Sequence, residues 1–217
     1  MGKNFYDLPL YQDDAQAMLE KHNITKLVEY DRYCRDTLRF DEQLKCYSEE
    51  STVRITWYNG DGRTFVERSK QMSRPSANGT YNSPRHKLYN TFVWLNGDRA
   101  VAEAQCMMGG YNVVNGIEYH RIGWAKLLYR VAKEGGVWKI KGLDCIYERD
   151  MLIPVVPDPK AFVDPAAFEK YRKSYKCVSW LFDHNGLPCA DDLPGDDKPE
   201  TVRKLYDEVS EWFFAKE

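Results

Sequence analysis

Asp36 and His86 are the residues whose types and placement point most directly to chemistry. Asp36 closes a run that reads as a helix from Ile24 through Arg35, and His86 opens a run to Leu95 that reads as a strand before a turn at Asn96, Gly97 and Asp98. A carboxylate on a helix facing a histidine on a sheet forms an orienter–base dyad. The acid fixes the imidazole tautomer, and the ring moves a proton near neutral pH, where its unperturbed pKa lies. Such a dyad needs neither metal nor cofactor, and none is expected. Asn90, four residues after His86, falls on the same strand face by the period-two rule and is a candidate to bind a substrate hydroxyl. Trp57, Trp124 and His120 are candidates for a pocket wall. The alternative for His86 is a strand histidine satisfied by backbone.

The elements that must position the dyad can be read along the chain. Asp13 to Lys21 reads as a short helix and Asn23 as the cap of a second, with Ile24, Leu27, Val28, Cys34 and Leu38 at helical spacing. Phe40 to Tyr47 and Phe65 to Met72 read as further helical stretches. Thr52 to Tyr58 reads as a strand ending in a turn at Asn59–Gly62, and Ser73 to Pro84 as a loop. Strand signals follow over His86–Leu95, Ala100–Met108, Glu118–Ala132 and Val137–Glu148, with glycine turns at Gly97 and at Gly135–Gly136. Helices first and strands afterwards mean an α+β fold, with N-terminal helices packed on a curved antiparallel sheet. Residues 1–156 are expected to form this domain and residues 157–217 a helical extension. Its apolar stripes, Phe168 with Tyr171 and Tyr175, then Val202, Leu205, Val209, Trp212 and Phe213, must dock on the core or on a neighbouring subunit.

Composition narrows the function classes. The 217 residues suffice for a sizeable core, and a formal charge of −2 without a basic stripe argues against nucleic acid. Six scattered cysteines without CxxC spacing read as reduced thiols of a cytoplasmic protein. No apolar run is long enough to span a membrane. Aromatics at 14% fill a core and can also line a pocket for a flat ligand.

Order and spacing from Asn23 to Ile153 resemble the SnoaL-like branch of the NTF2-like (cystatin-like) superfamily of cone-shaped domains, and within it the scytalone and bile-acid dehydratases. The resemblance rests on Ile24, Leu27, Cys34, Asp36, Phe40 to Glu42, Tyr47 with Ser48, Thr52 to Trp57, His86, and the run Gly136 to Leu143. It implies that Asp36 and His86 form the dyad of a blind pocket in which tyrosines such as Tyr33, Tyr30 or Tyr58 hold a substrate oxygen. It places Trp57 where the family has a pocket tyrosine, and Tyr111 near a second family histidine. Asp31 stands where the bile-acid branch has a tyrosine.

The wheel through Leu27, Cys34 and Leu38 contains Asp31, so periodicity alone favours Asp31 as the buried carboxylate, and Asp36 as the partner requires the helix to end near it. The expected function is a cofactor-independent lyase, a dehydratase acting on a hydroxylated cyclic or polycyclic carbonyl compound. An isomerase or dehydrohalogenase with the same dyad and a non-catalytic ligand-binding module are the alternatives. A homo-oligomer, trimer or dimer, is also expected.

Overall fold

A computed structural model describes residues 3–73, 84–187 and 189–215. Helix α1 (Ala15–Asp36) is continuous. Asp14 caps it by accepting from the Ala17 amide at 2.8 Å, so Asn23 lies inside the helix and the two expected short helices are one. α1 ends where the dyad requires. Leu38 takes a left-handed φ of 62°, and the Arg39 amide closes on the Cys34 carbonyl at 2.8 Å. That conformation costs a non-glycine residue about 1–3 kcal/mol and stops the helix.

Helix α2 (Phe40–Cys46) leads into strand β1 (Tyr47–Ile55), which turns at Thr56–Trp57 into β2 (Tyr58–Asp61). The turn thus precedes the Asn59–Gly62 segment expected to form it. Asp61 then caps α3 (Gly62–Met72). The expected loop from Ser73 to Pro84 falls mostly outside the described residues.

Four long strands follow as a meander: β3 (Arg85–Asn96), β4 (Arg99–Val114), β5 (Ile117–Glu134) and β6 (Val137–Pro154). β4 runs straight through Gly109 and Gly110 and turns at Asn115–Gly116, where φ is 51° and 79°, as a two-residue hairpin needs. The sheet order is β2-β1-β6-β5-β4-β3. It is mixed rather than wholly antiparallel, because β1 pairs parallel to β6.

The concave face of β4 carries small residues, Ala100, Ala102, Ala104 and Cys106, all buried. They let α1 lie close, with Ile24 and Val28 packed among Tyr129, Val131 and Ile140. The outer face is covered in part by the chain itself. Helix α5 (Pro199–Phe214) seats Leu205, Val209 and Phe213 on Trp94, Val101, Leu128 and Ile146, with Phe5 beside them.

Between sheet and α5 the chain makes 3-10 turns at Pro165–Phe168 and Lys173–Tyr175 instead of the expected helix. The break falls at Arg172, whose backbone is extended (ψ 131°) and whose guanidinium forms a two-bond pair with Asp197 at 2.7 and 2.9 Å. Helix α4 (Lys176–His184) then crosses the mouth of the cone. Among the described residues no helix is long and apolar enough to cross a membrane.

Candidate active site

The cone encloses a cavity of about 460 Å³. Its walls come from α1 (Arg32, Arg35), the β1–β2 turn (Thr56, Trp57), β3 (His86), β4 (Met108, Gly110, Asn112), β5 (Arg121, Leu127) and β6 (Leu143, Cys145, Tyr147). Val178, Leu181 and Phe182 of α4 line one side of it.

His86 is held by Asp36 at two points. Its Nδ1–H donates to Asp36 Oδ1 at 2.7 Å, and its backbone N–H donates to Asp36 Oδ2 at 2.6 Å. This assigns the tautomer, since a carboxylate can only accept. Asp36 borders the groove outside the cone, whereas His86 borders both that groove and the cavity. The ring therefore spans the wall, with the carboxylate behind it and Nε2 as its basic nitrogen.

Burial is the largest influence on His86 and lowers its pKa; the hydrogen bond it donates to Asp36 works upward, and the charges of Arg32 and Arg35 add to the lowering. The net result is a neutral imidazole. Burial pushes Asp36 upward, but its bonds to the His86 ring and backbone outweigh that and hold it below the ordinary carboxylate value. A neutral imidazole backed by a carboxylate can act as a general base.

Asp31 has a different task. It is fully buried, paired with Arg32 at 2.7 Å, and accepts from Gln43 at 2.9 Å and Tyr129 at 3.2 Å. The helical wheel was right that Asp31 faces inward, and the helix end is what lets Asp36 reach His86. Arg32 and Arg35, exposed by only 5% and 4%, continue the stripe of Ile24, Val28 and Asp31. Arg35 donates to Ser73 Oγ at 2.8 Å, and burial together with Arg32 brings its pKa down to about 10.

Of the other residues expected at the site, Trp57 lines the cavity and the rest do not. Tyr33 and Tyr30 stack on the outer side of α1, and Tyr33 is 53% exposed. Tyr58 is buried against Phe65, with its hydroxyl spent on the Asp61 carbonyl.

Asn90 is turned outward toward Gln105 by a β-bulge between Leu88 and Thr91, which breaks the period-two rule. Tyr111 and His120 pair across β4 and β5 and pack on each other outside the cone. Trp124, also outside, lies under Arg149. Their inward neighbours are Asn112 and Arg121. The signal for Arg121 is the buried alternation Ala125, Leu127, Tyr129, Val131, which extended backwards through Gly123 reaches it.

A protein from Emericella nidulans, the uncharacterized protein AN9274, is 24% identical over 236 residues, covering 99% of this chain and 98% of its own. Among solved structures, a type 2 hexachlorocyclohexane dehydrochlorinase (LinA) shares the fold with a TM-score of 0.56 at 14% identity, over 69% of this chain and all (100%) of that one. Rv3472 from Mycobacterium tuberculosis does so with a TM-score of 0.53 at 18% identity, over 81% and 94%. The model of the SnoaL-like domain matches residues 16–144, from the second residue of α1 into β6, and this chain belongs to that family.

Proposed function

We propose that this chain is a cofactor-independent lyase, a dehydratase that removes water from a hydroxylated cyclic or polycyclic carbonyl compound. The observation that carries the reading is the two-point hold of Asp36 on a half-buried, neutral His86 at the wall of the cavity.

His86 Nε2 takes a proton from the carbon next to the carbonyl. The imidazolium that forms is stabilised by Asp36, and negative charge gathers on the carbonyl oxygen. Arg35 takes the place expected for a tyrosine, since a guanidinium on the cavity wall stabilises such charge more strongly than a phenol. The imidazolium then returns its proton to the departing hydroxyl. One C–H and one C–O bond break, a C=C bond forms, and water leaves. General acid–base help contributes about 10²–10⁴ in rate, so the arginines and positioning supply the remainder.

An isomerase or dehydrohalogenase would share the first step, and a dehydrochlorinase is among the proteins of this fold. A panel of hydroxylated polycyclic ketones incubated in D₂O and followed by mass spectrometry tests the reading. Water loss that disappears in His86→Ala supports it. Deuterium uptake without loss of water points to an isomerase. Neither outcome with any ketone, at unchanged ligand affinity in His86→Ala, leaves a binding module.

A further inference from the structure

The cavity has a second positive pole, away from the dyad. Arg121 lies in the inward row Gly110–Arg121–Leu152, and its guanidinium crosses Gly123, where an added Cβ would come within 3.1 Å of Nη1. An alanine at position 123 would press the guanidinium aside by a few tenths of an ångström. The groups that influence it belong to β6 and α4, Asp150, Tyr147, Cys177 and Cys145, and not to the dyad.

Asp150 is the carboxylate whose charge acts most on Arg121, and each of its oxygens already accepts a backbone amide. Oδ1 accepts the Cys177 amide at 3.0 Å and Oδ2 the Val178 amide at 2.7 Å, which ties down the start of α4. Among the described residues Arg121 forms no ion pair, and burial lowers its pKa despite the charge of Asp150. Arg32 is balanced by Asp31; Arg35 and Arg121 are not balanced in this way. A half-buried guanidinium whose neighbouring carboxylate makes no direct pair with it is left with N–H groups that an anionic ligand group can take up.

We infer that Arg121 and the neighbouring Asn112 form an anion subsite that takes a carboxylate of the substrate, so that the substrate of the proposed reaction is an organic acid. A guanidinium offers two parallel N–H groups, which match the two oxygens of a carboxylate. The wall between the poles is apolar, with Leu127, Leu143, Val178, Leu181 and Phe182, and suits a hydrocarbon body. The acid group is thereby anchored at one end of the cavity while the carbonyl lies at His86 and Arg35. This deepens the lyase reading by naming the substrate class, but the subsite itself depends on Arg121 rather than on the dyad.

Calorimetric titration of the full chain with ibuprofen and with its primary amide, equal in shape and different in charge, tests it. The acid should bind at least tenfold more tightly than the amide. Arg121→Gln should remove the preference, Arg121→Lys should keep part of it, and His86→Asn should retain it in full. Gly123→Ala, which presses on the guanidinium, should weaken it and serves where Arg121→Gln does not fold. Equal affinity for acid and amide, absence of binding by both at ten millimolar, or a preference lost in Arg35→Gln but kept in Arg121→Gln would overturn the assignment. A preserved preference with no turnover on any ketone would sink the lyase reading and leave the subsite standing.

Discussion

Asp31 and Asp36 sit five residues apart on α1 and serve opposite ends: one neutralises a buried arginine, the other orients a histidine. Five residues turn a helix by about 140° beyond a full circle, so the two carboxylates leave α1 on different sides. Their substitutions should separate accordingly. Asp31→Asn leaves Arg32 buried without its partner and should cost about 3–5 kcal/mol of stability, read by urea denaturation. Asp36→Asn should fold and lower turnover by about 10²–10⁴, because an amide can present its NH₂ to the ring and impose the wrong tautomer. Equal loss of stability in the two would contradict this division.

The pH profile follows from His86. Its pKa lies below the ordinary 6.5, chiefly through burial, and in the proposed mechanism the working form is neutral. Turnover should be flat above that value and fall on an acid limb centred below it. Stability moves in the same direction. Between the folded and unfolded pKa values the unfolded chain binds more protons, so unfolding becomes easier as pH falls below 6.5. His86→Asn should remove that component, and a limb centred above 6.5 would show that the ring is not a depressed base.

Arg35 and not Tyr33 borders the cavity, so in the proposed mechanism it takes the role that the family resemblance implies for Tyr33. Tyr33→Phe should change turnover less than twofold, because the ring lies outside the cavity. Arg35→Gln should lower kcat by about 10²-fold with a smaller change in KM, the pattern of a donor that acts on developing charge. Loss of turnover in Tyr33→Phe would restore the tyrosine to the site.

Asp150 ties α4 to β6, and α4 lines one side of the cavity. Asp150→Ala leaves two amides without their acceptor and should cost about 1–3 kcal/mol. Ligand dissociation should also become faster, as stopped-flow measurements would show. An unchanged dissociation rate would mean that α4 is not what retains a ligand.

Self-association remains a proposal. α5 covers only part of the outer sheet face, and Tyr111, Val113, Met151 and Ile153 stay exposed on the rest. We expect a dimer or trimer, and light scattering that gives about 25 kDa at micromolar concentration would exclude both.

The fold was readable where periodicity is long. The apolar stripe of α1 and the alternation Ala125, Leu127, Tyr129, Val131 both survive in the structure. The Asp36–His86 pair was legible only through the family resemblance, because periodicity alone favours Asp31 and the pairing depends on where α1 ends. The cavity wall was not, because side-chain direction in a strand depends on a single residue of phase. The bulge at Leu88–Thr91 turned Asn90 outward, and reading aromatic types rather than phase favoured Tyr111, His120 and Trp124 over Asn112 and Arg121. Arg32 and Arg35 escaped notice because charged residues on a helix are ordinarily solvated, and only their spacing from Ile24 and Val28 marks them as inward.

The parallel pairing of β1 with β6 also sets an order of assembly. The strands of the meander meet through two-residue turns and can form early, whereas Val53 must find Leu143 across some ninety residues of chain. The cone should therefore close after the meander has formed. His86 belongs to the early part and Asp36 to a helix that docks on it, so their contact becomes a reporter of late folding. In refolding experiments, β4–β6 amides should gain exchange protection before the His86 ring shows its folded titration. The capacity for chemistry would then arrive in the last kinetic phase.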